Sequence, residues 1–241
     1  GRNPMMSAPG PDRSPLGPAL LDTGVMAILR ADDSTHLLRA ASTLAASGIR
    51  SIELALTTPG ALDTLPVLVA DLPEDTEIGV GTVVDADDAR RSIDAGAAFL
   101  VAPSVDPEVI TTARAAAVPC YPGALSPTEV VTAWRAGATA VKLFPASTVG
   151  PGYLNQLRGP LPNIPLIPTG GVGLGDIPLW VNAGSIAVGM GGPLLGEAAE
   201  GGDLSALANR AREALDAVAQ ARDMDAVAQA RDMNTVAQAR S

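Results

Sequence analysis

At 241 residues with 47% apolar content, the chain is long enough for one large core or two small ones, and no uninterrupted apolar stretch approaches the roughly 20 residues of a membrane span. A net charge of −10, no basic clusters and only 2% aromatics leave neither a phosphate-tracking groove nor a base-stacking platform, which argues against nucleic acid. Cys120 is the single cysteine and His36 the single histidine, which excludes an intramolecular disulfide, cysteine metal clusters and most zinc sites; the expected compartment is the cytoplasm.

The chain opens with Gly1 to Pro18, rich in proline, glycine and serine, where little order is expected, and a flexible extension is placed over residues 1–22. Beyond it, short runs rich in Val, Ile, Leu and Ala alternate with helix-like segments. The strand candidates are Val25 to Arg30, Ser51 to Leu56, Ile78 to Val83, Phe99 to Ala102, Cys120 to Gly123, Ala140 to Phe144, Leu166 to Thr169 and Ile186 to Gly189. Their near-continuous apolar character fits parallel strands covered on both faces. His36, after Ser34-Thr35 in a helix-like stretch, reads as a surface residue, and Cys120, behind Pro119, as a buried inert thiol.

The helix signals between these runs are specific. Asp85 is placed as the cap of a helix from Ala86 to Ala95 that Gly96 ends. Ser126-Pro127-Thr128-Glu129 combines an N-cap, proline at the first helical position and a capping-box glutamate. Gly48, Gly96, Gly137 and Gly184 each fall between a helix-like stretch and a strand, where a left-handed cap is needed. Eight such units predict an α/β fold, a (β/α)8 TIM barrel forming a single domain over residues 23–213, with its site at the carboxyl ends of the strands. A helical tail is placed over residues 214–241, where DAVAQARDM, DAVAQARDM and NTVAQARS form a near-exact nine-residue repeat. Nine residues advance a helix by roughly half a turn beyond whole turns, so Val218 and Val227 would face opposite sides. The tail is expected to face solvent, with a partner-binding helix as the alternative.

Lys142 is the only lysine, and it lies inside the apolar run Ala140-Val141-Lys142-Leu143-Phe144-Pro145, where an ammonium is costly to bury. Snorkelling to solvent is the ordinary fate of a lysine near a strand end. Apolar neighbours on both sides and the absence of any other lysine point instead to an amine nucleophile, because a desolvated lysine can lose its proton and attack a carbonyl whereas guanidinium cannot. Glu53 breaks the burial rule a second time, within Ser51-Ile52-Glu53-Leu54-Ala55-Leu56. In an eight-stranded barrel the second and sixth strands lie opposite each other, so the two could meet across the lumen as an amine and an acid/base. A purely structural ion pair is the competing reading.

The glycines weigh against that competitor. Gly170-Gly171 follows the seventh strand and Gly191-Gly192 follows the eighth, where barrels often bind phosphate through backbone N–H groups. Thr82 ends the third strand and Arg30 the first, and either could contact a carboxylate or phosphate at the pocket mouth.

The segments GVMAILR, SGIRSIELALTTP, IGVGTV, FLVAPS, YPGALSPTE, AVKLFPASTVGP, PLIPTGGV and AVGMGG, in this order from Gly24 to Gly192, resemble the class I pyruvate aldolases that act on 2-keto-3-deoxy-6-phosphogluconate and 4-hydroxy-2-oxoglutarate. The resemblance implies a homotrimeric (β/α)8 barrel without metal or other cofactor, in which Lys142 forms a Schiff base and Glu53 moves protons. It further implies that Thr82 and Thr169 contact the pyruvoyl end, that Phe144 and Pro103 line the pocket, and that the loops of Gly170, Gly171, Gly191 and Gly192 hold phosphate. The products would be pyruvate with glyceraldehyde 3-phosphate or glyoxylate. Two departures bear on specificity: Thr57 stands where some members have arginine, and Gly192 where many have serine. Arg30 is the candidate to compensate for the first. Cleavage of the galactonate epimer and a non-catalytic phosphosugar-binding barrel are the rival readings.

Overall fold

The computed structural model describes residues 12–238, with side chains to Ala226. Nine short strands alternate with helices in the order α1 (Pro18–Thr23), β1 (Val25–Leu29), α2 (Leu37–Ala46), β2 (Ser51–Ala55), α3 (Ala61–Asp71), β3 (Glu77–Gly81), α4 (Ala86–Asp94), β4 (Leu100–Val101), α5 (Pro107–Ala115), β5 (Cys120–Tyr121) and β6 (Gly123–Ala124). There follow α6 (Pro127–Ala136), β7 (Val141–Leu143), α7 (Pro151–Arg158), β8 (Leu166–Pro168), α8 (Ile177–Asn182), β9 (Val188–Met190), α9 (Gly192–Leu195) and α10 (Leu204–Gln238). All strand pairings are parallel, in a six-stranded sheet of order β5-β4-β3-β2-β1-β9 and a three-stranded sheet of order β6-β7-β8. The result is an α/β fold built on a curled parallel sheet with helices packed against its outer face. Among the described residues no helix is long and apolar enough to cross a membrane.

The fifth predicted strand is split in two, because Pro122 separates β5 from β6 and offers no N–H to the ladder; its carbonyl still accepts from the Lys142 N–H at 2.9 Å. The last predicted strand, Ile186 to Gly189, is shifted toward its carboxyl end and runs over Val188–Met190. Local punctuation matches the sequence closely. Asp85 accepts from the Asp88 N–H, Ser126 and Glu129 close a full capping box, and Gly48, Gly96, Gly137 and Gly184 all take left-handed φ of 96–109°. Cys120 is buried, and desolvation pushes its thiol up to about 12, so it is inert at neutral pH; His36 is half-buried just ahead of α2.

Two apolar layers result from the period of the strands. Side chains on the convex face join those of the helices in the main core, while Met26, Phe99, Val101, Tyr121, Ala140, Ile167 and Ala187 pack with Leu20 in a second cluster. Successive inward residues on a strand are two apart, so Lys142 shares a face with Ala140 of this cluster. The second cluster is a floor at the amino ends of the strands, with the Phe99 and Tyr121 rings 5.6 Å apart, and it leaves the carboxyl ends of the same inner face for polar groups.

Both chain extensions differ from expectation. Residues 1–11 lie outside the described residues, but from Arg13 onward the extension is docked. The Arg13 guanidinium stacks 3.7 Å over the Trp134 ring and donates to the carbonyls of Trp134 and Ala138, and α1 sends Leu20 into the floor. Burial pushes the Glu77 carboxyl up, and the Ala19 and Leu20 N–H groups at the start of α1 partly oppose that rise. At the other end, α10 buries Leu207, Ala211, Ala214, Val218 and Ala221, a stripe at alternating spacings of four and three. The solvent-facing tail does not begin at residue 214. Arg222 donates to the carbonyls of Leu21, Asp22 and Ile186 at 3.0–3.1 Å and ties α10 to α1, whereas the side chain of Val227 lies outside the described residues.

Truncating the chain after residue 213 removes buried Ala214, Val218 and Ala221 together with Arg222, a loss of about 3 kcal/mol or more that should lower the melting temperature by about 10 °C. Truncation after residue 226 should shift it by no more than about 2 °C. Thermal unfolding followed by circular dichroism compares the two, and equal melting temperatures would return the boundary to residue 213.

Candidate active site

Glu53 and Lys142 are carried by β2 and β7, and both are buried, at 1% and 7% exposure. Each faces inward above the aromatic floor, and each is paired in register with a glycine: Glu53 with Gly79 and Lys142 with Gly123. Thr169, buried just beyond β8, is likewise bridged to Gly189. The glycines make the room. A Cβ on Gly81 would lie 1.7 Å from Glu53 Oε1, and one on Gly189 would lie 2.4 Å from Thr169 Oγ1. The inner face is thus walled by backbone, and these polar side chains fill space that neighbouring side chains would otherwise take.

Burial pushes the Glu53 carboxyl above the usual carboxylate range, against the opposing pull of the Lys142 and Arg30 charges. Its Oε2 has no hydrogen-bond partner among the described residues, and no ion pair joins it to Lys142. This is not the arrangement of a satisfied structural pair, in which each oxygen would be matched. A raised carboxyl with a free oxygen can take and return protons. Lys142 Nζ lies 4.9 Å from the centroid of the half-buried Phe144 ring, which gives the amine an aromatic neighbour.

At the carboxyl ends of β1, β2 and β3 the structure brings Arg30, Thr57 and Thr82 together. The exposed Arg30 guanidinium donates to both hydroxyls, with 3.1 Å to Thr82 Oγ1. Thr82 has φ of 62°, an unusual conformation for a side-chain-bearing residue. Half-buried Pro103 presents its carbonyl to Gly123, where a Cβ would come within 2.4 Å of it. Gly170 and Gly171 both need positive φ, at 94° and 72°, and Gly170 lies against the Phe144 ring. Because Thr169 bridges Gly189, the Gly170-Gly171 loop runs beside the loop of Gly191 and Gly192. A Cβ on Gly192 would meet nothing within 4 Å, so serine would fit there without rearrangement.

Gly79, Gly81, Gly123 and Gly189 escaped the sequence reading as site residues, although the inward i, i+2 spacing of Gly79 and Gly81 is visible in Ile78-Gly79-Val80-Gly81-Thr82. Ser147 also escaped it. This residue sits in a short 3-10 turn just beyond β7, and its side chain lies against Gly171.

With this geometry in hand, similarity to known proteins is informative. The family model described as KDPG and KHG aldolase matches residues 18–209. The chain is 32% identical over 200 residues to the 2-dehydro-3-deoxy-phosphogluconate aldolase of Pseudomonas aeruginosa, covering 82% of this chain and 90% of that one. It is 31% identical over 208 residues to the probable 2-dehydro-3-deoxy-6-phosphogalactonate aldolase of Rhizobium meliloti, covering 86% and 97%. Among solved structures, the KDPG aldolase of Legionella pneumophila, with pyruvate captured as a covalent carbinolamine, superposes with a TM-score of 0.74 at 25% identity over 81% of this chain and 96% of that one.

Gly81→Ala should displace the Glu53 carboxylate without removing it and lower turnover about 100-fold, measured by coupled assay of product formation. Glu53→Gln should lower turnover by about 10²–10⁴-fold and also raise the melting temperature near neutral pH. The sign follows from the raised pKa: ionising Glu53 opposes folding, so wild type loses stability as pH rises through that pKa, and the advantage of the variant shrinks as pH falls. A variant less stable than wild type at pH 7 to 8 would assign the carboxylate to structure.

Proposed function

The chain belongs to the KDPG and KHG aldolase family, and we propose that it is a class I aldolase that cleaves a 6-phosphorylated 2-keto-3-deoxy sugar acid to pyruvate and glyceraldehyde 3-phosphate. Cleavage of 4-hydroxy-2-oxoglutarate to pyruvate and glyoxylate uses the same chemistry. The observation that carries this reading is the pair of buried, unbonded groups on one inner face: the only amine side chain, and a carboxyl raised by burial with a free oxygen.

The reaction follows from what these two groups can do. Lys142 Nζ adds to the C2 carbonyl of the 2-oxo acid, and Glu53 delivers the proton with which the C2 oxygen leaves as water, giving a protonated imine. Glu53, now a carboxylate, removes the C4 hydroxyl proton, directly or through water. The C3–C4 bond breaks, its electron pair moves into the imine to form an enamine, and the aldehyde departs. Glu53 returns the proton to C3, and water hydrolyses the resulting imine to release pyruvate and restore Lys142.

Positioning is assigned along the pocket wall. Thr82 and Thr169 contact the pyruvoyl end, Phe144 and Pro103 line the apolar side, and Gly170, Gly171, Gly191 and Gly192 hold phosphate through backbone N–H groups. Arg30 supplies the cation for a substrate carboxylate. Its hydrogen bonds to Thr57 and Thr82 support this role, since they hold the guanidinium at the mouth and Thr57 brings no charge of its own. We further read the two sheets as one closed (β/α)8 barrel. The Thr169–Gly189 bridge between the ends of β8 and β9 and the continuity of β5 with β6 through Pro122 support that closure.

The galactonate epimer remains a second substrate. A relative named for it covers as much of the chain as the phosphogluconate relative does, and the two substrates differ only in how C4 presents its hydroxyl.

Treatment with pyruvate and borohydride should add a reduced pyruvate to the Lys142 peptide, read by mass spectrometry. Lys142→Ala should lose both the adduct and all measurable cleavage while unfolding at a similar temperature. Residual turnover in that variant would remove the Schiff-base reading, and relative rates on the two phosphorylated epimers and hydroxyoxoglutarate would rank the substrates.

A further inference from the structure

We infer that Ser147 is a further substrate-binding residue, whose hydroxyl donates a hydrogen bond to the substrate phosphate and sets the preference for phosphorylated over unphosphorylated sugar acids. This rests on the reading of the Gly170-Gly171 loop as a phosphate site.

Ser147 lies in the 3-10 turn Ala146–Thr148 just beyond Lys142. The turn is fixed beside the end of β8 by two backbone bonds, from the Ala146 N–H to the Thr169 carbonyl at 2.8 Å and from the Ser147 N–H to the Gly170 carbonyl at 3.0 Å. A Cβ on Gly171 would lie 2.6 Å from Ser147 Cβ and 2.7 Å from Ser147 Oγ, so the hydroxyl occupies the place a Gly171 side chain would need. Gly171 is doubly constrained, by this contact and by its φ of 72°. Such close approach puts the hydroxyl at the loop itself.

That hydroxyl is also uncommitted. Thr148, its neighbour in the turn, donates to the Pro145 carbonyl at 2.7 Å, whereas the exposed Ser147 hydroxyl has no partner among the described residues. A phosphate offers more acceptor sites than a glycine loop offers N–H groups, and an O–H donated to an anionic oxygen is a strong hydrogen bond. Gly192, across the adjacent loop, has no hydroxyl to give. The position of Ser147 therefore supplies the side-chain donor that the glycine loops lack, from the connection that follows the strand carrying Lys142.

The test compares wild type, Ser147→Ala and Ser147→Thr on a 6-phosphorylated 2-keto-3-deoxy sugar acid and on the same acid without phosphate, with inorganic phosphate as a competitive inhibitor. The expected result is a roughly tenfold fall in the ratio of kcat/KM values in Ser147→Ala, carried by KM for the phosphorylated substrate, and a matching rise in the inhibition constant for phosphate. Ser147→Thr, which keeps the hydroxyl, should retain the ratio within about threefold. An unchanged ratio in Ser147→Ala, or an equal loss on both substrates, overturns the assignment. If wild type traps pyruvate on Lys142 but shows no preference for the phosphorylated acid, the phosphate reading of the glycine loops fails and this inference falls with it. Absence of trapping in wild type removes the aldolase reading itself.

Discussion

A carboxyl group without a full set of partners, held inside a parallel sheet, is the constraint around which the rest of this structure is arranged. Glu53 is buried on every side, yet one oxygen is unmatched and the opposing charges of Lys142 and Arg30 do not offset the desolvation. Such a group destabilises the fold that contains it, so the surrounding residues must supply stability elsewhere. They do so with an apolar core that encloses the convex face and with a floor of Phe99, Tyr121 and Leu20 beneath the site. The inner face is therefore divided along the strand axis, with aromatic packing at one end and buried titratable groups at the other.

Glycine is the means by which the polar half fits. In a parallel sheet every inward position normally contributes a side chain, and a lumen lined that way has no room for a ligand. Gly79 and Gly123, opposite Glu53 and Lys142 in register, and Gly189, bridged to Thr169, remove those side chains where they would compete. Gly81 goes further and yields its side-chain volume to the Glu53 carboxylate. The cost is a sheet with fewer cross-strand contacts at its carboxyl end, where β4 to β9 each span only two or three residues.

What could be read from the sequence divides along the same physical line. The strands were legible because both faces are buried, and the turns because Gly48, Gly96, Gly137 and Gly184 carry a backbone requirement that no neighbour can alter. Lys142 and Glu53 were legible as violations: a charge in an apolar run is visible wherever the chain folds. The glycines beside them were not, since a glycine in a strand acquires meaning only from the residue across from it. Arg30 with Thr57 and Thr82, and Arg13 on Trp134, join residues far apart in sequence, which periodicity does not report. The buried stripe of α10 was hidden for another reason: it is mostly alanine, and the nine-residue repeat directed attention to a different period.

A chain whose one lysine is shut inside the site has an outer surface without side-chain amines. Ordinary bioconjugation then works in reverse. Dyes, cross-linkers and activated resins that react with lysine would find, apart from the terminal amine, only the buried Lys142. Coupling through arginine or carboxylate chemistry would be the way to immobilise this protein in working form, and an acylating reagent small enough to reach Lys142 would find two amines at most, that one and the terminus.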